Sequence, residues 1–277
     1  MNRNTLSLGD RMKKYEDVLD YKLNPCMEYM IRLDGKGFSK MIKKWKCEKP
    51  FDERFNKAMN YASKKIFDII PNVKTIWHGS DEISVWFECE NVADMYFEGR
   101  IQKLVSLVAS TVSVYFNKKL QEEFGRELPF GIFDARIMQF PNKMEVSNYF
   151  IFRQRDHIRN SISGYAQYYF SHKELTNKNS DEKIEMMKEK GFDWNKDLWL
   201  PSELWSKYGT FLWKEQTTIY KNDDEFYIRH DDEVYIRTMI CKTSEIIVNP
   251  NEFGITLPKY VLRFTEDEWK NIKEHEE

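Results

Sequence analysis

VKTIWHGSDEISVWFE, residues 73–88, is the stretch whose reading decides the fold. Two short apolar runs, 73–78 and 83–88, are rich in β-branched and aromatic residues and are joined by the four residues GSDE, the pattern of a β-hairpin. Its turn carries Asp81 and Glu82 side by side at the mouth of the run ISVWF. Carboxylates are costly at the end of a core strand unless something there requires negative charge. A second segment repeats the arrangement: CMEYMIRLD (26–34) reads as a strand that ends on Asp34, followed by the glycine-rich turn DGKG.

Working outward, FDERFNKAMNYASKKIFDII (51–70) places Phe51, Phe55, Ala58, Met59, Ala62, Ile66 and Phe67 on one helix face. Pro50, Asp52 and Glu53 suit its start, and Pro71 stops it. A second helix follows the hairpin, with Ile101, Leu104, Val105, Val108, Val112, Tyr115 and Phe116 at helical spacing. IFDARIMQFP (132–141) reads as a fourth strand closed by a proline. The order over 26–141 is β-α-β-β-α-β, an α+β ferredoxin-like palm. Right-handed crossovers make the first two strands parallel with the third between them, so Asp34 and the Asp81–Glu82 pair converge on one sheet edge. A single acid in a turn can be a solvated cap. Three brought together by topology repel one another and call for a cation.

Residues 142–277 are expected to form a helical and β region packed on the palm module of residues 1–141. EVSNYFIFRQRDHIRNSISGYAQYYFS (145–171) reads as a helix, and a shorter one over 181–190 is stopped by Gly191. The helix at 145–171 carries Arg153, Arg155 and Arg159 within seven positions, a local basic cluster in a chain of net charge −2. The stretch 223–238 holds a duplication, DDEFYIR then DDEVYIR. A second acidic metal site is one reading, and a hairpin with alternating exposed acids is the plainer one.

Aromatic residues at 15% and charged residues at 32% mark a globular chain. No run reaches the ~20 apolar residues that span a bilayer, and MNRNTLSLGDRMKKYE lacks the apolar run of a signal peptide. The four cysteines have no zinc spacing and suit a reducing compartment. A cytoplasmic protein without a membrane partner is therefore expected. Carboxylates on adjacent strand ends suit Mg²⁺, and two such ions serve phosphoryl transfer. Lys49 precedes one helix, while Arg100 and Lys103 stand at the start of the next, and cationic helix N-termini attract anions. A P-loop and a complete GxGxxG are absent.

Taken in order, IRLDGKGF, KPFDERFNKAM, GSDEIS, IQKLVSLVAS, FDARIMQFP, RQRDHIRNS and LPSELWSKYGTFL resemble the tRNA-His guanylyltransferase superfamily of 3′-to-5′ nucleotide-adding polymerases, over about residues 11–215. EVSNYFIFRQ and RNSI…FSHKEL are closer to its bacterial and phage-type branch. The resemblance implies that Asp34, Asp81 and the Gly35 carbonyl bind two Mg²⁺ ions and that Glu82 supports them. It implies nucleotide contacts at Arg32, Lys36, Gly37, Phe38, Lys49, Asp52, Ser80, Arg100 and Lys103, with ATP and GTP or other NTPs as substrates. Arg153, Arg155, Arg159, Asn160 and Lys207 would face the 5′ end and acceptor stem of tRNA, in a homotetramer built as a dimer of dimers. Two positions depart from the family pattern. Ser39 stands where the family often has histidine, and HIRNSIS replaces HINNLYN, which shifts His157 by one register so that Asn160 is the safer match. A nucleotidyl cyclase shares the acids without needing the segment 142–215. A catalytically inactive RNA-binding protein would not need Asp34, Asp81 and Glu82 intact.

Overall fold

Strand β1 (Glu28–Gly35) lies in the middle of the module, with six of its eight residues paired on one side and all eight on the other. A computed structural model describes residues 6–88, 95–198, 203–220 and 234–243. β1 pairs antiparallel with β3 (Glu82–Phe87) on one side and β4 (Phe133–Phe140) on the other. β2 (Val73–Gly79) pairs antiparallel with the far side of β3. The order β4-β1-β3-β2 is the expected ferredoxin-like palm, with β1 and β2 parallel and β3 between them.

The sheet then continues past the palm, with one strand that was not expected and one that overlaps the end of the hairpin expected at 223–238. β5 (Thr210–Tyr220) adds to the outer edge of β2, and β6 (Val234–Thr243) pairs with β5. TFLWKEQTTIY mixes polar and apolar residues without clean alternation, so its pattern did not announce a strand. The 223–238 duplication falls largely outside the described residues; its end, from Val234 onward, belongs to β6 and pairs with β5.

One face of the sheet carries α3 (Glu53–Ile69) and α4 (Ile101–Phe124), which bury most of the apolar positions read from the sequence against Ile31, Leu33 and Val85; Phe51 lies before α3 and packs instead on Tyr165 and Trp205. Asp52 caps α3 by accepting a hydrogen bond from the Arg54 N–H. The other face carries α5 (Lys143–Tyr169), whose Val146, Phe150 and Ile151 cover Met30, Trp77 and Trp86. Near the end of α5, Ile162, Tyr165 and Ala166 pack with Met187 of α7 (Ser180–Glu189), a helix set by an Asn179–Glu182 capping box.

Four helices went unread: α1 (Leu8–Asp17), α2 (Phe38–Trp45), α6 (His172–Leu175) and α8 (Leu204–Tyr208). All are ten residues or shorter, too brief to show a clear period. Gly209 joins α8 to β5 with φ +74°, and a Cβ there would sit 2.5 Å from the His78 carbonyl oxygen and 2.6 Å from the Trp77 indole nitrogen. Gly209→Ala must therefore push β5 off β2. We expect a loss on the order of 2 kcal/mol, measured by urea unfolding; an unchanged midpoint would show that the strand accommodates the methyl group.

Candidate active site

The β2–β3 hairpin turns on Ser80 and Asp81, with Ser80 at φ +53°, a left-handed conformation that non-glycine residues seldom adopt. The Gly35 N–H donates to the Asp81 carbonyl at 3.1 Å, stitching the end of β1 to this turn. Asp34 sits directly across from Glu82 in the β1–β3 register. Gly35 has no room for a side chain, since a Cβ would lie 2.6 Å from the Phe38 ring. The convergence expected from the topology is thus fixed by backbone.

The three acids do not play one part. Glu82 is buried and receives the Arg153 Nε and Nη2 donors at 2.5 Å each and the Arg32 Nη2 at 2.8 Å, so its charge is fully met. Arg32 reaches Asp34 only at 3.4 Å. Burial pushes the Asp81 carboxyl up to about 6, and the charges of Asp34 and Glu82 push the same way, against hydrogen bonds from its own backbone and Ser80. Asp34 and Asp81 are left as the pair whose repulsion a cation relieves. Among the described residues no cluster of three or more acidic, histidine or cysteine side chains forms a ready-made metal cage. Two carboxylates and the neighbouring Gly35 carbonyl fit Mg²⁺ nonetheless, because that ion is commonly held by one or two carboxylates with substrate phosphates completing the shell.

A cavity opens beside the hairpin, lined by Ile42, Phe51, Asp52, His78, Ser80 and Trp205 among others. Asp52 and Ser80 thus both border it. Burial disfavours the Asp52 charge. Hydrogen bonds from the Arg54 side chain and from the Glu48 and Arg54 N–H groups outweigh it and hold the carboxyl below its usual range. Lys36 and Gly37 form the exposed turn after Asp34, and Lys49 is exposed beside the cavity-lining Pro50.

Several expectations need correction. Phe38 does not face a nucleotide: it is buried against Trp45, Phe55, Phe116 and Phe133 as the apolar anchor of α2. Arg100 and Lys103 stand at the opposite sheet edge. Gly99 and Arg100 bond to Leu23 and Lys22, on the segment that enters β1 near Tyr29, and Tyr29 lies about 17 Å of strand from Asp34. Within one chain they cannot reach phosphates held at Asp34 and Asp81. Arg153 is buried on Glu82 and not offered to RNA. Lys207 is likewise buried, its ammonium 4.3 Å from the Trp194 ring centre. Arg155, Arg159 and Asn160 are exposed on α5.

His157 went without a role in the sequence. It lies buried behind the hairpin, edge-on to Trp77 at 5.8 Å between ring centres, so close to Gly79 that a Cβ there would meet Nδ1 at 2.7 Å. Burial drives its pKa down to about 4, against hydrogen bonds to the backbone of Trp205 and Ser206. It is a neutral buttress of the acid turn.

A ferredoxin-like palm with a carboxylate pair at the strand mouth and an adjoining cavity defines a nucleotidyl-transferring enzyme. Residues 9–141 match the family described as tRNAHis guanylyltransferase. The tRNA(His) guanylyltransferase of Debaryomyces hansenii is 33% identical over 208 residues, 70% of this chain and 76% of that protein. An uncharacterized protein of Acanthamoeba polyphaga mimivirus is 33% identical over 233 residues, 75% of this chain and 77% of that one. A bacterial tRNA(His) guanylyltransferase-like protein solved in complex with ATP superposes with a TM-score of 0.69 at 36% identity, covering 75% of this chain and 88% of that structure. A bacterial structure of the same description in complex with GTP gives 0.68 at 30% identity, with coverages of 93% and 98%. The chain belongs to the tRNA(His) guanylyltransferase family of nucleotidyltransferases.

The depressed His157 pKa has a testable consequence. The unfolded chain takes up a proton near pH 6.5 and the folded one only near 4. The stability that depends on neutral His157 is therefore complete above pH 6.5 and lost as pH falls toward 4. His157→Gln should lose less stability than the native chain between pH 7.5 and 5, read from urea midpoints. Equal losses would mean that His157 is charged or solvated in the fold.

Proposed function

We propose that the chain adds nucleotides in the 3′-to-5′ direction to the 5′ end of tRNA, repairing truncated ends with the opposite strand as template. The observation that carries this reading is the Asp34–Asp81 pair, fixed by the Gly35–Asp81 hydrogen bond beside a cavity that borders Ser80. In the first step a 5′-monophosphate oxygen of the RNA attacks the α-phosphorus of ATP and pyrophosphate leaves, giving an adenylylated 5′ end. The 3′-hydroxyl of the incoming nucleoside triphosphate then attacks the RNA 5′-phosphorus and AMP leaves. Pyrophosphate is finally removed from the new end.

Asp34 and Asp81, with the Gly35 carbonyl, would hold Mg²⁺, which supplies charge neutralisation at the phosphates. The cavity takes the nucleoside, consistent with the ATP and GTP bound by the bacterial relatives. Exposed Arg155, Arg159 and Asn160 give α5 a face for the acceptor stem. Such contacts to phosphate position a duplex without reading its sequence, so base pairing of the incoming nucleotide supplies selectivity. The HIRNSIS run, in place of HINNLYN, favours this repair reading over addition of one unpaired guanosine to tRNA-His.

Asp34→Ala or Asp81→Ala should remove several kcal/mol of transition-state stabilisation, a fall of at least about 100-fold in both adenylylation and nucleotide addition; normal addition by either variant would sink the assignment. Arg155→Ala and Arg159→Ala should weaken tRNA binding and flatten its salt dependence while sparing adenylylation of a saturating substrate. Single-turnover assays should show all four nucleotides added to truncated tRNA when paired, and slower addition of guanosine to intact tRNA-His. The reverse ranking would assign the chain to unpaired guanosine addition.

A further inference from the structure

An unbroken run of alternating charges crosses the protein from the outer face of α5 to the acid pair. Arg159 donates to Asp156 at 2.7 Å, and Arg153 donates to the other Asp156 oxygen at 3.0 Å. Arg153 also grips both oxygens of Glu82; Arg32 reaches Glu82 at 2.8 Å and Asp34 at 3.4 Å. The run is wet at its ends and dry in its middle: side-chain exposure is 64% at Arg159, 9% at Arg153, 10% at Glu82 and 38% at Asp34.

A buried ion pair is a poor stabilising device, since well-packed apolar residues of similar volume often do as well. What this one does is set the position of Arg32. Glu82 holds the Arg32 guanidinium at 2.8 Å, so that the same Nη2 reaches Asp34 only through a long bond of 3.4 Å. Glu82 can do so only because Arg153, on a different element, clamps the carboxylate by two parallel bonds. Without that clamp Glu82 is free to turn, and Arg32 can close on Asp34, competing with a cation for the same oxygens.

We propose that Arg153 is a positioning residue, acting through Glu82 and Arg32 to keep the Asp34 carboxylate open to a divalent cation, with Asp156 orienting Arg153 from behind. This rests on the reading that Asp34 and Asp81 hold that cation. It also gives Arg153 a role different from tRNA contact, although Arg155 and Arg159 share its segment.

The test uses Mn²⁺ as the probe, its binding to the full chain followed by the loss of the free-ion EPR signal. Arg153→Lys keeps the charge and forfeits the paired bonds; it should weaken Mn²⁺ binding about tenfold or more. The Mg²⁺ concentration for half-maximal adenylylation should rise in parallel, with tRNA affinity unchanged. Asp156→Asn should shift Mn²⁺ binding in the same direction by less. Native Mn²⁺ affinity in a folded Arg153→Lys protein, or a loss confined to tRNA affinity, overturns the proposal. Should Arg153→Lys fail to fold, Arg153→Gln, which still leaves Glu82 paired with Arg32, is read the same way. Asp34→Ala separates the two layers: if it abolishes Mn²⁺ binding while the Arg153 variants bind normally, only the positioning role fails. If it binds Mn²⁺ like the native chain, the acid-pair reading fails and the positioning role with it.

Discussion

Like charges at the end of a buried strand are the constraint around which this molecule is arranged. Asp34 and Asp81 stand together only because the Gly35 N–H is bonded to the Asp81 carbonyl and because β1 is gripped by strands on both sides. Burial above all raises the Asp81 pKa, and the neighbouring carboxylates push the same way. Such a site resists collapse through its backbone, since the strand pairing and the Gly35–Asp81 bond that place the acids do not use their side chains. The cores on the two faces of the sheet hold the strands that carry it.

Arginine divides the labour among the acids. Had all three carboxylates been left open, the local charge would have exceeded what a cation with phosphate ligands can balance. Arg32 and Arg153 neutralise Glu82 and so turn it from a potential ligand into a strut between β3 and α5. Glu88 does similar work at the other end of the same strands, paired with Lys74 of β2 and Lys143 of α5. Helix α5 is thus tied to the sheet by an ion pair at its first residue, Lys143, and another near its middle, Arg153, with aromatic packing between them. A helix fastened in this manner can carry exposed basic residues without shifting the acids beneath it.

The sequence made the palm legible because its strands are short and apolar and its two long helices keep strict periodicity. Topology alone then brings Asp34 to Asp81. What escaped was of two kinds. α2 and α8 are too short for a period to show, and β5 acquires its place from the edge of β2 that it covers. Function was misassigned where local motif was taken for location. Arg100 and Lys103 do begin a helix, but α4 starts where β3 ends, and β3 runs away from the acid turn. Any helix following that strand must start at the far edge, so strand direction rules where its N-terminus can act.

The arginine cluster on α5 shows the same lesson at finer scale. Arg153, Arg155 and Arg159 look like one basic patch when written in a line. At 3.6 residues per turn, however, positions 153 and 157 share one side of a helix, and 155 falls some 200° around from 153. The structure obeys that geometry: Arg153, Gln154 and His157 point into the protein, where they meet Glu82, the Tyr208 carbonyl and the hairpin, while Arg155 and Arg159 face out. One helix therefore presents two chemistries, a dry face that braces the acids and a wet face that exposes Arg155 and Arg159. Asp156 lies at the border between them and bonds to an arginine of each. The spacing that places it there is i, i+3 in both directions, the shortest interval at which side chains on a helix can meet.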